Sequence, residues 1–114
     1  MAIKLIRRGE IHWVDLPDKK GRELKELHPC LVVSNDKQNL FSPLIIAMPI
    51  TSLKTGDKAF PFQVLIQLKK PSVILIDQIQ TIDREKFKGI IGKLDSELME
   101  EVEKKTHVVL ALKS

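Results

Sequence analysis

Three side chains in the first half of the chain are of types that move protons or hold phosphate: Glu23, His28 and Thr51. A carboxylate and an imidazole close together can share acid and base duty, because histidine titrates near neutrality. Glu23 and His28 belong to the stretch ELKELHPCLVVSND (23–36), and Thr51, with Ser52, closes the apolar run LIIAMPI. Two lysine-rich segments flank these residues, one with Lys19, Lys20, Arg22 and Lys25, the other with Lys54 and Lys58. Such residues contact a phosphate backbone or simply keep a surface solvated, and the two readings weigh evenly. Gln80, in QIQTID, offers an amide to a base edge or packs at a strand end. A threonine taken alone more often caps a turn than takes part in a reaction.

Several chemistries are excluded by what is missing. His12, His28 and His107 are scattered, with no ligand spacing to a cysteine or carboxylate cluster, so no metal site is expected. There is no phosphate-cradling glycine loop and no nucleophile elbow. Aromatics make up 4% of the chain and tyrosine is absent, which argues against an aromatic stacking platform of the kind RNA-binding sheets carry. Cys30 sits in an apolar run and reads as inert packing; Trp13 also reads as a packing residue.

The elements that must position these groups follow from pattern. Ile11–Leu16 alternates and reads as a strand. Pro17–Leu27 reads as a long basic loop. Cys30–Val33, short and rich in β-branched residues, reads as a central buried strand with Pro29 at its start and His28 in the loop before it. Lys37–Ser42 reads as a polar turn, 43–50 as a second strand, 60–68 as a third, 72–79 as the most apolar, and 87–94 as a short last one. If the two strands around the 35–42 turn are antiparallel neighbours, the start of one lies beside the end of the other, bringing His28 near Thr51. A helix follows, capped by Asp95 or Ser96, with acids in its first turns and an apolar stripe of Leu98, Val102, Val109 and Leu112 interrupted near Lys105 and Thr106. The sum is a mainly β chain with a C-terminal helix, a small antiparallel sheet or partly open barrel.

With 114 residues and 43% hydrophobic content the chain suits a single domain, 1–114. No apolar run approaches a membrane span and the N-terminus is not a secretory signal, so a reducing cytoplasm is the expected setting for the one cysteine. The net charge of +4 is uneven: residues 95–114 carry −2 and the first 94 carry +6. A basic body with an acidic helix fits a polyanion or an acidic protein segment as partner.

The stretch 23–36, with IHWVDLP before it and IAMPITS and SVILIDQIQTID after it, resembles the MazF/PemK family of toxin endoribonucleases from about Gly9 onward. That resemblance implies an SH3-like barrel (CcdB/PemK-like) with the helix packed on it and a homodimer. It further implies metal-free, cofactor-free, sequence-selective cleavage of single-stranded RNA, leaving 2′,3′-cyclic phosphate and 5′-hydroxyl ends. The partners it implies are a cognate acidic antitoxin, DNA only through that antitoxin, and no membrane. Family members typically carry Gly-Ser-Glu-Gln, then Arg-Pro, then a threonine ending the next strand. Glu23 and Thr51 meet two of these positions, whereas His28 stands before Pro29 where the arginine would be. Under the resemblance Glu23 orients or accepts a proton, His28 acts on the phosphate or leaving group, and Thr51 hydrogen-bonds the reacting phosphate. Lys19, Lys20, Arg22, Lys25, Ser52, Lys54, Lys58 and Gln80 hold RNA. Relatives often have Arg or Lys where Gln80 stands. His28 leaves three outcomes: catalysis with a different pH profile, weak catalysis with Arg22 or Lys25 supplying charge, or a binding module that captures an antitoxin or, like the CcdB group, a gyrase-type partner.

Overall fold

A computed structural model describes residues 5–17 and 26–113. Seven strands and two helices follow in the order β1 (Glu10–Leu16), β2 (Glu26–Val32), α1 (Asp36–Phe41), β3 (Leu44–Ser52), β4 (Gln63–Gln67), β5 (Pro71–Leu75), β6 (Gln80–Asp83), β7 (Phe87–Lys93) and α2 (Ser96–Val109). All pairings are antiparallel, and the sheet runs β4-β5-β3-β2-β1-β7, with β6 beside the first half of β3. The expected mainly β chain with a C-terminal helix is therefore what forms.

Alternation along the strands sorts the side chains onto two faces. Leu31, Met48, Ile50, Val64 and Ile74 build the larger core, which α2 covers with buried Val102 and half-buried Leu98 and Val109. Val14, Cys30, Val32, Ala47 and Phe87 build a smaller cluster on the opposite face. Full burial of a side chain such as Leu31 stabilises the fold by about 1.5–3 kcal/mol.

Four sequence expectations are corrected. The second strand begins at Glu26, so Leu27, His28 and Pro29 lie inside β2 rather than in a preceding loop. Proline is tolerated there because β2 is paired on one edge only at that point: Pro29 faces Trp13 of β1, while pairing with β3 begins at Cys30. The expected turn after Asp36 is the one-and-a-half-turn helix α1, since the Asn35 side chain caps the amide of Gln38 at 2.8 Å. The apolar run 72–79 divides into β5, a 3₁₀ turn at Ile76–Gln78 and β6, so two neighbours of β3 come from one run. Trp13 is 43% exposed between Pro29 and Gly89 rather than packed.

The gap in the helix stripe has a plain cause. The Lys105 stem lies along the sheet while its Nζ donates to the Gln63 carbonyl at 2.7 Å and pairs with Glu101 at 3.1 Å. Asp95 is the N-cap, accepting from the Leu98 amide at 2.9 Å. Leu112 lies beyond the end of α2 and is half exposed.

Candidate active site

β2 and β3 carry the chemistry. Their ladder pairs Cys30 with Pro49, Leu31 with Met48 and Val32 with Ala47. Extended by two residues, the same register sets His28 opposite Thr51. Residues paired across an antiparallel ladder point to the same side, and every second residue repeats it. His28 and Thr51 therefore share the face of Cys30 and Ala47, the face away from α2. The expected antiparallel pairing of the two strands forms, ending at Cys30 and Pro49, and His28 lies within β2 rather than in a loop.

Beyond Pro49 the strand β3 changes neighbours. Ile50, Thr51 and Ser52 pair with Ile74, Val73 and Ser72 of β5 on its other edge. Among the described residues that switch leaves the β2-facing side of Thr51 without a ladder partner, and Thr51 is exposed. His28 is backed by Val14 of β1 and is partly exposed, with Nε2 3.5 Å from Glu26 Oε2. Glu26 is a residue that pattern reading missed. Two positions apart is the same-face spacing of a strand, but that signal is invisible while the segment is read as a loop.

Lys54 and Lys58 are exposed on the connection after Ser52, which turns at Gly56 with φ of +88°. A cavity of about 730 Å³ opens there between Ser52, Lys54, Asp57, Lys70 and Pro71. Lys70 is a second omission: the Leu53 amide donates to the Pro71 carbonyl at 2.8 Å, which brings the β4–β5 turn beside the first loop. Gln80 pairs with Ala47 on the same face as Thr51, four residues back along β3, and its Nε2 donates to the Gln78 carbonyl at 3.2 Å. It stands apart from His28 and Thr51. Glu23, Lys19, Lys20, Arg22 and Lys25 lie outside the described residues. Among the described residues no three His, Cys, Asp or Glu side chains are grouped to hold a metal ion.

Cys30 lies beneath the site, fully buried, and burial pushes its thiol from 9.0 up to about 12. It is a packing residue, as expected. His12, on the same face of β1, is also buried, with Nε2 2.9 Å from Glu10 Oε1 and its ring edge-on to Phe87 at 5.6 Å.

Residues 7–110 match the PemK-like, MazF-like toxin family of type II toxin–antitoxin systems. The chain belongs to that family. It is 36% identical over 113 residues to the Endoribonuclease EndoA of Bacillus subtilis (strain 168), across 95% of this chain and 97% of the relative. Its fold is also that of MazE-MazF (Form-II) from Deinococcus radiodurans, with a TM-score of 0.80 at 24% identity, covering 97% of this chain and all of the other. An endoribonuclease in complex with its cognate antitoxin from Mycobacterial species superposes with a TM-score of 0.79 at 19% identity, covering 96% and 98%. Membership of the PemK/MazF family fits the β-rich architecture with the terminal helix.

Proposed function

We propose that this PemK/MazF-family chain is a metal-independent endoribonuclease that cleaves single-stranded RNA at selected sequences, as the toxin of a toxin–antitoxin pair. The observation that carries this reading is the β2–β3 register, which, carried two residues past its last pair, aligns the His28 imidazole with the exposed Thr51 hydroxyl ahead of a lysine-bearing loop. Kinship with an endoribonuclease over nearly the whole chain supports it.

In this reading the ribose 2′ oxygen attacks the adjacent phosphorus. An O2′–P bond forms, the P–O5′ bond breaks, and the products end in a 2′,3′-cyclic phosphate and a 5′-hydroxyl. Glu23 takes the 2′ proton. His28, held by Glu26, donates a proton to the departing O5′ or, when charged, a hydrogen bond to the phosphate. The Thr51 hydroxyl donates to a non-bridging oxygen as charge builds there. Ser52, Lys54, Lys58 and Lys70 hold the flanking phosphates, and an acidic antitoxin segment competes for the same basic surface. The working unit is a single-domain homodimer in the cytoplasm. The second reading, a binding module of weak or no catalysis, is favoured by one observation: His28 stands where the family arginine would be.

Incubation with a long single-stranded RNA in EDTA, from about pH 5.5 to 9, separates the two. Cleavage at short recurring sites with new 5′-hydroxyl ends is expected, and Thr51→Ala should lower its rate by roughly 10²-fold with the fold intact. RNA left whole at every pH would establish the binding module instead.

A further inference from the structure

Phe60 and Phe62 stack face to face, with ring centroids 5.3 Å apart and planes within 3°. Both lie outside the two core clusters, and they are 59% and 38% exposed. Two parallel phenyl rings in water contribute little to this fold and ask for an external partner. Their mounting is firm: the Phe60 amide donates to Gln63 Oε1 at 3.0 Å, and the Gln63 amide donates back to the Phe60 carbonyl at 2.9 Å.

Register places this mount relative to the site. Thr51, Val73 and Leu65 form one row across β3, β5 and β4, pointing to the same side. Gln63 shares that side, two residues from Leu65 along β4. Two strand spacings across and two residues along put Gln63 about 10 Å across and about 7 Å along from Thr51. The Gln63 side chain that holds the Phe60 amide therefore stands on the face that carries Thr51, within the span of a short oligonucleotide.

We infer that the Phe60–Phe62 pair, on a turn rather than on the sheet-borne platform that the low aromatic content argued against, is a stacking subsite for an unpaired base of the RNA, flanking the position that is cut; this rests on the nuclease reading above. Planar faces take planar partners, and Lys54 and Lys58, exposed on the same connection between β3 and β4, suit the phosphates on either side of such a base. An anchoring side chain of a peptide would need a pocket. The cavity alongside is lined by Ser52, Lys54, Asp57 and Lys70 among others and includes neither ring.

The test is binding of a fluorescein-labelled, random-sequence 2′-O-methyl RNA of about ten nucleotides, a length that fits a single small-domain footprint. Its blocked 2′ oxygens cannot attack, so affinity is read apart from cleavage. Phe60→Ala should weaken binding about ten-fold. Phe60→Leu, apolar but not planar, should weaken it similarly, and Phe60→Trp should restore it. Thermal melting of each variant checks the fold, with Phe62→Ala as a second disruption. Unchanged affinity in both alanine variants would overturn the subsite, as would failure of the wild type to bind the oligonucleotide. A changed sedimentation coefficient in Phe60→Ala with unchanged RNA affinity would assign the rings to a contact between copies and also overturn it. If the wild type binds the oligonucleotide but leaves unmodified RNA whole, the nuclease reading falls while the subsite stands.

Discussion

An imidazole at position 28 makes the proposed reaction sensitive to acidity in a way a guanidinium would not. Arginine keeps its charge at any workable pH, whereas a histidine cation is lost as the pH rises through neutrality. His28→Arg, which sets a permanent cation there, should raise cleavage by about ten-fold over wild type at pH near 9. Rates measured across pH on one RNA check this; parallel profiles would exclude His28 from that role. Beneath it, Cys30 supplies a second pH effect. Its thiol is raised from 9.0 to about 12 by burial, so the fold favours the neutral form. The sign follows: this contribution is full below the unfolded value and disappears as pH climbs toward 12. Native protein should resist iodoacetamide at pH near 8.5, where denatured protein reacts fully, and mass spectrometry reads the difference. At this scale Thr51 was legible because an apolar run ends on it. Glu26 was not, because Pro29 reads as the start of a strand and hides the two-residue spacing before it.

Among the elements, α2 shows both a good start and a costly finish. Its C-terminus closes with Leu112 N–H on the His107 carbonyl at 2.9 Å and Ala111 N–H on the Val108 carbonyl at 3.1 Å, with Ala111 at φ of +54°. That closure wants glycine in the left-handed position, and alanine there is strained. Ala111→Gly should stabilise the protein by about 0.5–1 kcal/mol, after the extra freedom it gives the unfolded chain. Urea midpoints of the two proteins decide it. The acidic first turns made α2 readable from the sequence. The helix α1 was hidden by its length, since six residues show no period. The division of 72–79 was hidden because both strands and the 3₁₀ turn between them are apolar, and only pairing with two different stretches of β3 distinguishes them.

For the whole molecule, charge is segregated as the sequence indicated, with −2 over 95–114 and +6 over the rest. The connection after β3 exposes Lys54 and Lys58 while α2 carries most of the acids of 95–114, so binding of a polyanion should depend on the former. Replacing Lys54 and Lys58 together by Gln should reduce the slope of log affinity against log salt by about 2 if each touches a phosphate. Titrating the blocked oligonucleotide at several salt concentrations measures that slope. Stacking by Phe60 should not alter it, which separates the two contributions to affinity. Six strand runs were legible in the alternating pattern and its polar punctuation, and the seventh strand came from the division of 72–79 into β5 and β6. The way one strand serves two partners on one edge was not, because local pattern contains no information about which distant segments pair.

β3 has neighbours along nearly its full length: β6 and then β5 on one edge, β2 on the other. Opening the molecule at β4 or β7, the two outer strands, leaves those ladders intact. Thr51 thus stays paired with Val73 of β5 when an outer strand frays. The hydroxyl proposed to meet a strand of RNA is carried on backbone that stays paired when an outer strand of the sheet lets go.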